Sequence, residues 1–157
     1  MTDTDYKKML AQLERHEGKR LEAYKCTAGV LTVGIGHNCL AWPVKGVAKV
    51  GDRITPEQCQ ELFLSDVARF GGLLASNLPW TERLKECQPA RYAVLLNMAF
   101  NLGIRGLLGF KTTLEHVRCG NYPQASGAML RSKWAIQVKG RASELAEQMR
   151  TGKWQNL

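Results

Sequence analysis

The segment Tyr92-Ala93-Val94-Leu95-Leu96-Asn97-Met98-Ala99-Phe100 constrains the fold more than any other stretch of the chain. Pro89 opens it as a helix, and it is apolar almost all round, so it has no face to offer water and predicts the buried centre of a helix bundle. Amphipathic helices have to cover it, and their signatures are present. Tyr6, Met9, Leu10 and Leu13 recur at i, i+3, i+4, i+7, predicting a helix over about 3–16 with cap candidates in Thr2 to Thr4 and a stop at Gly18. Thr55-Pro56-Glu57 starts the longest helix of the N-terminal half, with Thr55 as N-cap. Its apolar stripe runs Leu62, Phe63, Val67, Phe70 and Leu74, and Gly and Pro punctuation closes it before Trp80. Gly103, Gly106 and Gly109 read as a turn after the central helix. Shorter helices are predicted near 111–119 (stopped by Gly120), 122–131 (capped by Asn121) and 141–150 (stopped by Gly152).

Between the first two helices the pattern changes. Leu21 to Lys25, then Thr27-Ala28-Gly29, then Val30 to Gly36 read as strand, turn, strand, followed by a loop with Pro43, Gly46 and Gly51 that has room for one more short strand. The architecture predicted is α+β: a small N-terminal β-sheet lobe over about 14–55, a long joining helix over about 56–75, and an all-α C-terminal lobe over about 76–157 with the first helix packed on it. No internal repeat or low-complexity linker divides the chain, and 157 residues suit one domain.

Charge narrows the partner. Twenty-two Lys and Arg against 14 Asp and Glu give a net charge of +8, pointing to a polyanion, either nucleic acid or an anionic surface such as a bacterial envelope. Basic residues are spread through the C-terminal half (Arg118, Arg131, Lys133, Lys139, Arg141, Arg150, Lys153), with Trp134 and Trp154 interleaved. No nucleic-acid motif accompanies them, so a solvated surface is the expectation. No apolar run approaches about 18 residues, which argues against membrane insertion. The acidic opening Met1-Thr2-Asp3-Thr4-Asp5 is no secretory signal. Five cysteines (Cys26, Cys39, Cys59, Cys87, Cys119), odd in number and without a CxxC pair, predict reduced thiols in a cytosol, with no metal and no cofactor.

Three local features carry candidate chemistry. Glu17 is expected at the C-terminal end of the first helix, where the helix dipole disfavours a carboxylate, yet a solvated Glu in the charged run Glu14-Arg15-His16-Glu17-Gly18-Lys19-Arg20 fits the local pattern as well. Cys26 and His37 fall on adjoining strands and allow a thiolate-hydrolase reading, against the commoner role of Cys as a small buried hydrophobe. Gly34-Ile35-Gly36 lacks the Lys-Ser/Thr ending of a phosphate loop, leaving a tight hairpin or a floor for an extended substrate.

The run from His16 to His37 resembles the signature of phage-T4-type lysozymes, glycoside hydrolase family 24, in which Glu, eight residues, Asp or Cys, five residues, Thr falls here on Glu17, Cys26 and Thr32, with the Gly-Ile-Gly-His tail intact. The resemblance continues through Ile54-Thr55, the run Asn97 to Gly103, Gly109-Phe110, Arg131-Ser132-Lys133-Trp134, Arg141 and Arg150 to Trp154. It implies a lysozyme-like two-lobe fold and hydrolysis of the β-1,4 bond between N-acetylmuramic acid and N-acetylglucosamine in peptidoglycan, with Glu17 as general acid and Cys26 and Thr32 beside it. It further implies that Gly36, Asn38, Phe100 and Thr113 line a substrate cleft between the lobes and that Arg141 approaches Glu17. His37 would pair structurally with Asp66. Some members are endolysins held in the host cytoplasm and released to the periplasm through a holin. The expected partner is the peptidoglycan of a Gram-negative host, met by a monomer that binds no nucleic acid. Two positions depart from the family pattern: Cys26 replaces a frequent second carboxylate, and Ala128 an Asn that contacts substrate.

Overall fold

The computed structural model describes residues 1–156. Among them are eight helices and one three-stranded antiparallel sheet of order β1-β2-β3, an α+β fold. The elements are α1 (Asp3–Glu17), β1 (Arg20–Lys25), β2 (Leu31–Gly34), β3 (His37–Asn38), α2 (Pro56–Asn77), α3 (Thr81–Cys87), α4 (Pro89–Leu108), α5 (Lys111–Arg118), α6 (Tyr122–Leu130), α7 (Lys133–Val138) and α8 (Gly140–Thr151). They sort into two compact units, one of Leu13–Arg69 and one of Met1–Gln12 with the chain from Phe70 onward.

In the Leu13–Arg69 unit, residues 26–30 join β1 to β2, and the Cys26–Val30 pair closes a three-residue loop, 27–29. The Cys26 amide donates to the Val30 carbonyl (3.0 Å) and the Gly29 amide to the Cys26 carbonyl (2.8 Å), with Gly29 at φ +77°. A short loop ending in a left-handed glycine matches the twist of the strands it connects. The single strand expected over 30–36 is two strands. Gly34 and Gly36 sit at φ +67° and +66°, leave the extended region, and fold Ile35-Gly36 into a tight turn, so β3 begins at His37. Registers are set by Tyr24 opposite Thr32 and Thr32 opposite Asn38. The following loop carries isolated bridges, Val44 to Val47 and Arg53 back to Glu22, where one more strand had room. Thr55 and Gln58 cap α2 reciprocally, the Gln58 amide donating to Thr55 Oγ1 (3.1 Å) and the Thr55 amide to Gln58 Oε1 (2.8 Å).

In the other unit, every residue from Tyr92 to Phe100 of α4 is buried. Each fully buried Leu or Val there stabilises the fold by about 1.5–3 kcal/mol. The expected turn at 103–109 is a break inside one helix: Gly103 alone leaves helical geometry (φ +74°, ψ 163°), and the helix resumes to Leu108. Gly71-Gly72 do not stop α2, which runs on to Asn77. Two helices give no readable sequence signal, α3 and α7, of seven and six residues. Two turns are too few for the apolar period to show, although Ser132 does cap α7, accepting from the Ala135 amide (3.2 Å). Asn121 stands at the N-cap of α6 without a side-chain capping bond. No single helix among the described residues is long and apolar enough to cross a membrane.

Candidate active site

The end of α1 and the sheet of the Leu13–Arg69 unit bring together most of the residues singled out in sequence. Glu17 is the last residue of α1 and is half-buried. The hairpin turn after β2 comes up against it so closely that a Cβ on Gly36 would stand 2.8 Å from Glu17 Oε2 and 3.1 Å from its Cδ. Gly36 is therefore fixed twice, by its positive φ and by the carboxylate above it. The run forms the tight hairpin turn, and that turn lies against the Glu17 carboxylate.

Directly opposed residues of an antiparallel pair face the same side. Tyr24 on β1, Thr32 on β2 and Asn38 on β3 thus form one row across the sheet, and Cys26 follows Tyr24 at the two-residue spacing of a strand face. Thr32 is 5% exposed, and its hydroxyl lies 2.8 Å from the Val30 carbonyl. Burial opposes ionisation of the Cys26 thiol. Backbone hydrogen bonds at Val30 and Ala28, and the Thr32 hydroxyl, outweigh it and hold the thiol pKa below its ordinary value. Thr32 has one proton and two acceptors for it, the Val30 carbonyl and the Cys26 sulfur.

Tyr24 is a site residue that motif spacing did not mark. Burial raises its hydroxyl pKa, and the negative charges of Glu17 and Cys26 raise it further, while Arg20, stacked 4.0 Å from its ring centroid, works the other way. Its phenol lies in the field of both groups. The hairpin register was the signal for it, since Thr32 fixes which β1 residue stands opposite.

His37 points the other way. Its Nδ1 is 2.8 Å from Asp66 Oδ2 and its Nε2 2.8 Å from the Trp42 carbonyl. Carboxylate and carbonyl both accept, so the two contacts together favour the doubly protonated ring. Burial lowers its pKa, but the bonds to Asp66 and Trp42 and the Asp66 charge outweigh that, and the net shift is upward. Both ring nitrogens are engaged by groups other than Cys26, which leaves the Cys26–His37 hydrolase reading without support. Asp66 Oδ1 accepts from Arg69 Nη2 (3.0 Å), completing a buried network on α2.

The phage lysozyme family profile matches residues 14–151. The chain belongs to the phage lysozyme family. Relatives within reach include the Pre-baseplate central spike protein Gp5 of Enterobacteria phage T4, 31% identical over 92% of this chain and 28% of its own length. An Endolysin of Acyrthosiphon pisum secondary endosymbiont phage 1 is 30% identical, covering 88% of this chain and 85% of its own. Probable T4-type lysozyme 1 of Dictyostelium discoideum is 27% identical over 89% and 92%. The chain thus spans less than a third of the spike protein but most of the other two.

The phage lysozyme residues expected in the C-terminal half lie on the helical unit. Phe100 is 9% exposed and packs on Phe70, ring centroids 5.2 Å apart. Thr113, 2% exposed, lines a pocket of about 440 Å³ with Phe110, Ala128 and Trp134, whose rings meet edge to face at 6.0 Å. Arg141 Nε donates to Asn97 Oδ1 (2.9 Å). Asn38 is exposed and its Oδ1 accepts from the amides of Leu40 and Ala41 (2.9 Å each), which pins the turn after β3. Trp134 is buried, with its Nε1 donating to Asn101 Oδ1 (2.7 Å), and Trp154 Nε1 donates to Asp5 Oδ1 (3.3 Å). No group of His, Cys, Asp and Glu among the described residues is arranged to hold a metal ion.

Proposed function

We propose that this chain is a lysozyme that hydrolyses the β-1,4 bond between N-acetylmuramic acid and N-acetylglucosamine of peptidoglycan and so lyses the phage's host. The observation that supports it most is the Glu17 carboxyl seated on Gly36, its charge felt at Tyr24, which stands opposite Thr32 on the sheet. Glycoside hydrolysis needs a proton for the leaving oxygen and a water or nucleophile for the anomeric carbon on the other face of the sugar. Glu17 in its acid form gives the proton as the glycosidic C–O bond breaks. Thr32 and Cys26 hold the attacking water, which adds to the anomeric carbon and passes its own proton to the Cys26 thiolate. Gly36 and Asn38, with Phe100, Thr113 and Arg141 of the helical unit, are proposed as substrate contacts, and the His37–Asp66 pair as structural. The enzyme acts as a monomer on a Gram-negative wall, waiting in the host cytoplasm for holin-dependent release.

The test is Glu17→Gln, which keeps shape and removes the transferable proton. General acid catalysis is worth about 10²–10⁴-fold, so release of new reducing ends from purified peptidoglycan should fall by that factor with the melting temperature retained. A variant within a few-fold of the unsubstituted enzyme overturns the assignment. Release of peptide stems with glycan strands intact overturns the reaction.

A further inference from the structure

The loop after β3 presents an indole that the reaction above does not use. Trp42 is 49% exposed. An exposed tryptophan on a loop is ordinarily loosely held; this one is held through its backbone and through its ring. Its amide donates to the Asn38 carbonyl (3.0 Å) and its carbonyl accepts from His37 Nε2 (2.8 Å). The Arg69 guanidinium lies 4.5 Å from the ring centroid, Arg69 is tied to Asp66 (3.0 Å), and Asp66 to His37 (2.8 Å). Trp42, His37, Asp66 and Arg69 thus close a ring of contacts that fixes the loop backbone and the indole plane together.

We propose that Trp42 is a stacking platform for a pyranose ring of the glycan strand, outside the cleaved bond; this rests on the function proposed above. Three observations carry it. The indole is packed on Arg69 before any ligand arrives, which lowers the ordering cost a mobile aromatic incurs on binding. Its amide bonds to the carbonyl of Asn38, the third member of the row Tyr24–Thr32–Asn38, so the loop that carries the indole is tied to the end of that row. Its neighbours suit an aminosugar: a pyranose offers an apolar C–H face to an indole and hydroxyls at its rim, and the Asn38 amide and Arg69 guanidinium supply hydrogen-bond donors. A cation packed on the ring suits a sugar better than a bilayer core, into which Arg69 would be drawn with the indole. Trp42 is on this reading a substrate-positioning residue.

The test uses the full chain. In a Glu17→Gln background, which leaves ligand uncut, the N-acetylglucosamine hexamer is titrated while the Trp42 indole N–H resonance is followed, assigned by its loss in Trp42→Phe. That resonance should shift and saturate. On peptidoglycan, Trp42→Leu keeps apolar bulk but loses the ring, and should raise KM about threefold to tenfold with kcat within about twofold, whereas Trp42→Phe should keep KM within about twofold. A Leu variant with unchanged KM, or one that loses kcat alone, overturns the proposal. So does an indole that ignores the hexamer and responds to phosphatidylglycerol vesicles. Should Trp42→Leu not fold, the titration and the Phe variant decide. If the unsubstituted enzyme releases no reducing ends, the proposed function falls, and the titration still reports on Trp42.

Discussion

Cys26 stands where a second carboxylate is frequent in the family, and its neighbourhood already does part of a carboxylate's work. Backbone hydrogen bonds at Val30 and Ala28 and the Thr32 hydroxyl stabilise negative charge on sulfur against burial. An ordinary thiol is only a few per cent ionised at neutral pH, so this stabilisation decides whether sulfur can take a proton from water. Cys26→Asp should therefore stay active, Cys26→Ala should lose about 10²-fold in reducing ends released, and thiol alkylation should inactivate the unsubstituted enzyme but spare Cys26→Asp. Buried Cys39 and Cys59 make alkylation specific only if Cys87 and Cys119, both exposed, are replaced first. Equal rates for Cys26→Ala and the unsubstituted enzyme would leave Glu17 and Thr32 as the catalytic pair.

At the scale of elements, the β2–β3 turn and the His37 network hold the site to the sheet. Gly36→Ala puts a methyl group against Glu17 and also meets the left-handed penalty of about 1–2 kcal/mol. Gly46→Ala is the matched control, because Gly46 has φ +85° and open space around it. Both should lose about 2–8 °C in melting temperature, but only Gly36→Ala should also lose about tenfold or more in kcat. The His37–Asp66 bond has a pH signature. Because the folded His37 pKa is raised, the stability it contributes is fully present below the unfolded value of about 6.5 and is lost as pH rises through the folded pKa. His37→Asn should lower the melting temperature by about 4–10 °C at pH 5, and the gap should shrink across that rise while most activity remains. A gap independent of pH would mean the imidazole is neutral throughout.

Over the whole molecule the excess of 22 basic over 14 acidic residues is spread, not gathered into one motif. Part is neutralised locally: Arg118 pairs with Glu115 and Arg150 with Glu147 one helical turn away. Such exposed pairs add little to stability, so the remaining net charge acts mainly on encounter with an anionic wall. Raising ionic strength from about 20 to about 200 mM shortens the screening length roughly threefold, and kcat/KM on peptidoglycan should fall several-fold. Binding of a short uncharged N-acetylglucosamine oligomer should barely change. A salt effect shared by both measurements would point to the site itself.

The sequence by itself determined the helices whose period is long enough to register, the α4 core that no solvated position could accommodate, and the glycines that only a left-handed turn explains. Local pattern left Glu17 and Cys26 indistinct from a solvated Glu and a buried Cys, and it was the resemblance of the His16–His37 run to the phage lysozyme signature that pointed to Glu17, Cys26 and Thr32. What only the tertiary structure decided depends on register and on long-range partners. Tyr24 joins the site through the residue across from it, Asp66 and Arg69 reach His37 from α2, and Trp42 gains meaning only once those groups hold it. The short α3 and α7 hide for a related reason: two turns carry too little periodicity of their own, and such a helix draws most of its stability from the packing around it.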